Sequence, residues 1–297
     1  MKKIIFIITY IGQFPWYFSY FLHSCRYNPT VDFIIFTDSN NISLELSSNV
    51  KIIPLTIEQI KFHAAKKLKF DVTIHSGYKL CDFRPAYGYI FFDYLKEYDF
   101  WGYCDIDVIF GNIRSFMTNE LLNEYDVISA RHDYLTGCFA LFRNNSYFRE
   151  LFMQSKDYRK VFTESRNFCF DETNYAFESF SKGFHYSQIP SEVESMTHVV
   201  RRLHEEKKLK AWFEFQIVEG FAGKMLWKQG TLIYRKVFEA MFYHLIHFKR
   251  IYTEPLDLNK KIPDEFRIGK RKIYQTKKGV YSHFDISLNF LYRSINK

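Results

Sequence analysis

The stretch Asp99-Phe100-Trp101-Gly102-Tyr103-Cys104-Asp105-Ile106-Asp107-Val108-Ile109-Phe110-Gly111 decides how the rest of the 297-residue chain is read. Asp99 to Cys104 spells a strand, so the Asp-Ile-Asp triplet falls at its carboxyl end. Carboxylates two residues apart on an extended backbone point to the same side, and both can reach one cation or its waters. Hard oxygen ligands suit Mn²⁺ or Mg²⁺, ions that usually take ligand phosphates as well. Acidic pairs are common on protein surfaces. Here, however, the pair is flanked by apolar runs where solvated aspartates are out of place, and this favours a metal role for Asp105 and Asp107.

Outward from this triplet, strands and helices alternate. Ile4 to Thr9, Val31 to Phe36 and Val50 to Pro54 read as strands buried on both faces, and Ile11 to Cys25 and Thr56 to Leu68 as helices between and after them. Arg84-Pro85 predicts a helix start, because proline suits a first helical turn, with the helix running to about Tyr98. Asp126 to Ala130 and Cys138 to Phe142 read as further strands, and Asn145 to Lys156 as a helix. The second half is less regular. Glu172 to Ser181 predicts a helix and Phe184 to Ile189 a strand, while 192–230 shows no clean period. Thr231 to Arg235 and Ala240 to Phe248 read as short strands, or as a strand and a helix. The alternation predicts an α/β fold with a mostly parallel sheet, whose ligand sits beyond the carboxyl ends of the strands.

The composition is that of a globular protein, with 47% hydrophobic and 25% charged residues. Rings make up 20% of the chain; they fill a core as readily as they stack on sugars or bases. A net charge of +8 attracts anionic partners, yet no nucleic-acid-binding motif accompanies it, so no nucleic-acid partner is expected. The five cysteines contain no CxxC pair and read as free thiols of a reducing compartment. The opening Lys2-Lys3-Ile4-Ile5-Phe6-Ile7-Ile8 mimics a signal peptide, but polar residues interrupt it and no cleavage site follows. The expectation is a cytoplasmic protein.

Three stretches carry a family resemblance: Tyr78-Lys79-Leu80-Cys81-Asp82-Phe83-Arg84-Pro85-Ala86-Tyr87-Gly88, the Asp-Ile-Asp strand, and Leu135-Thr136-Gly137-Cys138-Phe139-Ala140-Leu141-Phe142-Arg143-Asn144. Together they resemble bacterial GT-A glycosyltransferases encoded with capsule and lipopolysaccharide loci, distantly similar to glycogenin-like transferases. The resemblance implies a Rossmann-like sheet, a metal-bound sugar nucleotide and transfer to a growing glycan. It also implies a catalytic domain over 1–250, followed by a basic extension over 251–297.

The remaining candidates follow from position. Lys79, Asp82 and Arg84 lie at the expected helix start, where cations and backbone amides hold a diphosphate or donor sugar; the alternative is an ordinary capping cluster. Tyr10 and Asp38 follow the first two strands, where GT-A proteins hold base and ribose. His247 with Lys249 is similar to the late histidine that completes the metal shell and the lysine that contacts the diphosphate, with His244 as rival for the histidine. Asp171-Glu172 is a good helix N-terminus. By the same resemblance it supplies the catalytic carboxylates, and the order Asp-Glu-x-Asn is similar to a segment of retaining members, so the reading leans to retention. His132, Thr136 and Gly137 are candidates for the acceptor, glycine allowing close approach of a sugar.

The reading that results is hexose transfer from a nucleotide-sugar, of the UDP type, to a saccharide. A nucleotidyltransferase usually carries a glycine-rich basic loop after its first strand; Thr9-Tyr10-Ile11-Gly12-Gln13-Phe14 holds one glycine and disfavours it. A non-catalytic binding module would not need the intact triplet. The basic residues of 259–278 read either as a solvated tail or as a clamp on the anionic inner membrane face, beside a lipid-linked acceptor.

Overall fold

The structure, a computed structural model, describes residues 1–39, 45–221 and 223–275. Its central sheet has seven strands, in the order β3 (Val50–Pro54), β2 (Val31–Thr37), β1 (Ile4–Tyr10), β4 (Phe100–Cys104), β7 (Phe139–Arg143), β6 (Val127–Ser129), β8 (Ala211–Phe213). Every strand runs the same way except β7, which is antiparallel to β4 and β6. The helices α1 (Phe18–Arg26) and α2 (Ile57–Leu68) follow β1 and β3. This is the expected Rossmann-like α/β architecture. Alternate residues of β1 enter separate cores: Ile5 and Ile7 pack with Trp101, Tyr87 and Val199, and Ile4, Phe6 and Ile8 with Phe14, Phe21 and Phe110. A sheet covered on both faces needs strands apolar on both sides, which is why they read as continuous hydrophobic runs.

Two smaller sheets complete the site region. One joins β5 (Val108–Phe110), β13 (Phe242–His244) and β9 (Ile217–Glu219); the other runs β12 (Phe238–Glu239), β11 (Thr231–Tyr234), β10 (Met225–Lys228), β14 (Glu265–Ile268), β15 (Ile273–Gln275). The five-stranded sheet crosses residue 250, where a basic extension was expected to begin: β14 pairs with β10, Trp227 opposite Phe266. Residues 276–278 of the basic segment lie outside the described residues.

Several helices are shorter than predicted. The span from Arg84 to Tyr98 holds the end of a 3₁₀ segment (Gly77–Ala86), one α-turn (Tyr87–Ile90) and another 3₁₀ turn (Phe92–Tyr94). Tight packing shapes it, since a Cβ on Gly88 would lie 2.3 Å from the Trp101 ring. The first helix begins at Phe18 rather than Ile11, and 145–156 splits into Ser146–Arg149 and a 3₁₀ turn. Phe184 to Ile189 is no strand but carries a 3₁₀ turn, and 192–230 contains the helix Met196–Glu205 besides three short strands.

Candidate functional site

Asp105 and Asp107 lie between β4 and β5, at the carboxyl end of β4 as the sequence predicts. The antiparallel pairing of β5 with β13 sets His244 opposite Val108, and Leu245 N–H donates to the Asp107 carbonyl at 2.8 Å. His244 Nε2 then stands 3.5 Å from Asp107 Oδ2 and 3.9 Å from Asp105 Oδ2. One ligand atom from each of the three residues falls within 4.8 Å of the others. Two carboxylates and an imidazole form a mixed oxygen and nitrogen donor set able to hold a divalent ion, the carboxylates being the ligands that suit Mn²⁺ or Mg²⁺.

The register expected for the histidine is corrected. The histidine beside Asp105 and Asp107 is His244, the rival in the sequence, and not His247. Strand β13 ends at His244 and the chain winds into a 3₁₀ turn (Phe248–Arg250), which carries His247 outward to an exposed position against Phe221. The same turn brings Lys249 back, its Nζ donating to Asp107 Oδ2 at 2.6 Å. Burial would push the Asp107 carboxyl up, but His244 and Lys249 outweigh it and hold Asp107 below the ordinary carboxylate range.

Arg84 links this group to the second pair of carboxylates. Its guanidinium donates to Asp105 Oδ1, to Asp171 Oδ2 at 3.0 Å and to the Gly137 carbonyl at 3.1 Å. Glu172 Oε1 accepts from Gly137 N–H at 2.7 Å and from the Thr136 hydroxyl at 3.3 Å. Burial pushes both Asp171 and Glu172 up, opposed at Asp171 by Arg84 and at Glu172 by the Gly137 amide and Arg84. No helix opens at Glu172. Cys169, Asn174 and Tyr175 have positive φ, at 52°, 53° and 64°, so the chain turns there and the helix starts only at Phe177. The acidic pair therefore serves no helix dipole. It turns inward on Arg84 and Gly137.

Lys79 and Asp82 face no ligand, because both side chains are fully buried. Lys79 Nζ donates to Asp82 at 3.0 Å and to the carbonyls of Val161 and Arg166 at 2.6 and 2.7 Å. Asp82 accepts from the amides of Phe168 and Phe170, both at 2.9 Å at their closer contacts. The pair anchors the loop that delivers Asp171 instead of touching a donor. Gly137 and Thr136 are likewise buried: a Cβ on Gly137 would lie 2.5 Å from Arg84 and 2.7 Å from Asp171, so the space near it is filled by those side chains and not open to a sugar. His132 is exposed and packs on Phe215, with ring centroids 5.9 Å apart.

Asp38 accepts from Gly12 N–H at 2.7 Å and lines a cavity of about 650 Å³ with Gly12, Gln13, Phe14 and residues 256–259. Tyr10 supports that loop, stacking on Phe14 at 5.1 Å and donating to the Gln13 carbonyl. Sequence reasoning missed Glu219, Arg131 and Tyr17. Tyr17 sits under Lys249, 5.7 Å from ring centroid to ammonium. Their strands and turns are too short to leave a periodic signal.

Fold and site together define an α/β protein with two aspartates and a histidine, at the end of a central strand, that could hold a metal ion. The chain belongs to the family of unknown function DUF6625, whose model matches residues 6–277. No curated protein matches it. Among solved structures it is similar to the glycosyltransferase GlyE of Streptococcus pneumoniae TIGR4, with 13% identity and a TM-score of 0.29, over 73% of this chain and 66% of that one. The apo form of GlyE gives 13% identity and a TM-score of 0.26, over 75% and 70%. At such TM-scores the likeness carries no argument, and the reading rests on the side chains themselves.

Proposed function

We propose that the chain is a metal-dependent glycosyltransferase that moves a hexose from a nucleotide-sugar, of the UDP-linked kind, to a saccharide acceptor in surface-polysaccharide synthesis. The observation that carries this reading is the meeting of Asp105, Asp107 and His244 at the carboxyl end of β4, with Lys249 and Arg84 on the same carboxylates. The three residues would hold Mn²⁺ or Mg²⁺, and the ion would offset charge developing on the departing diphosphate. Lys249, a mobile cation on a flexible stem, is suited to the diphosphate itself. The cavity beside Asp38 and Gly12 has the size of a small-ligand site and is assigned to the nucleoside. Asp171, fixed by Arg84, and Glu172, fixed by Gly137, are assigned to the anomeric carbon and acceptor, with the lean to retention kept. The acceptor is read as lipid-linked, reached from the inner membrane face through the basic residues after 259.

Incubation with Mn²⁺ and a panel of nucleotide-sugars tests this. One donor should release its nucleotide slowly without an acceptor, and chelation should stop the release. A folded chain that neither binds nor hydrolyses any donor with Mn²⁺ would overturn the reading.

A further inference from the structure

His244 has two ring nitrogens, and the aspartates account for only one. Nδ1 lies 2.8 Å from Glu219 Oε1. Strand pairing makes this contact, because β9 runs parallel to β13 with Glu219 opposite His244. Glu219 is itself held: Arg131 Nη1 donates to Oε2, while Nε and Nη2 of Arg131 grip Asp133 at 2.9 and 2.7 Å. Asp133 is pinned in turn by the Ser181 hydroxyl at 2.9 Å and the Tyr134 amide at 3.1 Å.

We propose that Glu219 is the positioning residue of the cation site: it accepts the Nδ1 proton of His244 and so turns Nε2 toward the space between Asp105 and Asp107, with Arg131 and Asp133 holding Glu219 in place. The inference rests on reading Asp105, Asp107 and His244 as metal ligands. An imidazole whose Nδ1–H is given to a carboxylate is fixed in tautomer and ring orientation, and its other nitrogen becomes a better ligand. Cys138, Glu219 and His244 also lie close enough together to suggest a second ion. Both Glu219 oxygens are already committed, however, one to His244 and one to Arg131. The Cys138 thiol is buried and paired with the Thr136 hydroxyl at 3.2 Å. The three residues therefore form a support behind the histidine and not a separate metal site.

The test is Mn²⁺ affinity of the full chain without donor, read from free Mn²⁺ by electron paramagnetic resonance. Alongside it, the Nδ1 proton of His244 is followed by NMR in metal-free protein and assigned by its loss in His244→Ala. Glu219→Gln should weaken Mn²⁺ binding about 10- to 100-fold and move the Nδ1 proton upfield, as a charge-assisted bond becomes a neutral one. Arg131→Met, which leaves Glu219 in place but unheld, should act in the same directions to a smaller extent. A purely structural role would lower the melting temperature and leave the Mn²⁺ affinity of the folded variants unchanged. Unchanged Mn²⁺ affinity in folded Glu219→Gln, with Asp107→Ala still weakened, would overturn the positioning role and leave the metal site standing. A wild-type chain that binds no Mn²⁺ would overturn both.

Discussion

At Asp107 a single buried carboxylate answers to two groups at once, His244 Nε2 at 3.5 Å and Lys249 Nζ at 2.6 Å, both on Oδ2. Its side chain lies at a strand end and supports no core packing, so Asp107→Ala should fold normally. Calorimetric titration of a nucleotide-sugar with Mn²⁺ should nonetheless show binding lost, and turnover should fall on the order of 10³-fold or more. The two histidines separate in the same assay. His244→Ala removes a ligand and should weaken Mn²⁺ by at least the about 10- to 100-fold that follows from losing an outer partner. His247→Ala, at an exposed ring packed on Phe221, should leave Mn²⁺ affinity unchanged. Equal defects in both would sink the register read from β13. Gly137 gives a different kind of test, because an added Cβ meets the tips of Arg84 and Asp171, at 2.5 and 2.7 Å, more closely than anything else. Such tips can move, so Gly137→Ala should shift stability by about 1 kcal/mol. The Arg84–Asp171 pair must give way, however, and a displacement of that order can cost about 10²-fold in rate. Thermal melting against turnover separates the two effects.

The 3₁₀ segment Gly77–Ala86 is the element on which the loop of Asp171 and Glu172 hangs, through one buried ion pair. Asp82→Ala would leave the Lys79 ammonium buried against two carbonyls without its anion, a loss that typically costs about 3–5 kcal/mol. The double change Lys79→Met with Asp82→Leu removes both charges and should recover much of that stability in chemical denaturation. It should not recover turnover, since the amides of Phe168 and Phe170 would lose the carboxylate that places Asp171. Full activity in the double variant would contradict this. The segment also shows where the sequence was legible. β1, β2 and β4 were readable because their residues are mostly buried and mostly apolar. The Asp-Ile-Asp triplet was readable because charge stood out against that background. Lys79, Asp82 and Arg84 were recognisable as a charged cluster, but sequence does not tell a buried ion pair from a ligand-facing one; only the contacts of 161–170, some eighty residues away, decide it. Glu219 and His244 were harder still. Each sits at the end of a three-residue strand, too short for a period-2 pattern, and their meeting depends on a parallel register between segments remote from each other in the chain.

On the whole-molecule scale the net charge of +8 needs a location, and the five-stranded sheet provides one. Ile262, Phe266 and Ile268, the apolar residues interleaved with the basic ones, are 8%, 1% and 1% exposed and pack with Trp227 and Tyr20. Alternation along β14 explains this: Phe266 and Ile268 point into the core while Arg267 between them points out. Lys260 is also engaged, bonded to Glu254 and Tyr20. Lys261, Arg267, Lys270, Arg271 and Lys272 lie on the outside, with Tyr274 beside Lys272 and the exposed Val237 at the β11–β12 turn. No described helix is long and apolar enough to cross a membrane. Attachment of the basic face to an anionic leaflet would be electrostatic, at about 1 kcal/mol for each Lys or Arg near the surface and fading within a Debye length. Co-sedimentation with vesicles containing phosphatidylserine should show binding at low salt that falls steeply as salt rises. It should diminish when Lys261, Arg267, Arg271 and Lys272 become glutamine, and it should change little in Val237→Ser. Binding that persists at high salt would indicate insertion and contradict the charge-only account. A chain that ignores anionic vesicles at low salt would remove membrane attachment altogether, leaving the basic face as a solvated surface.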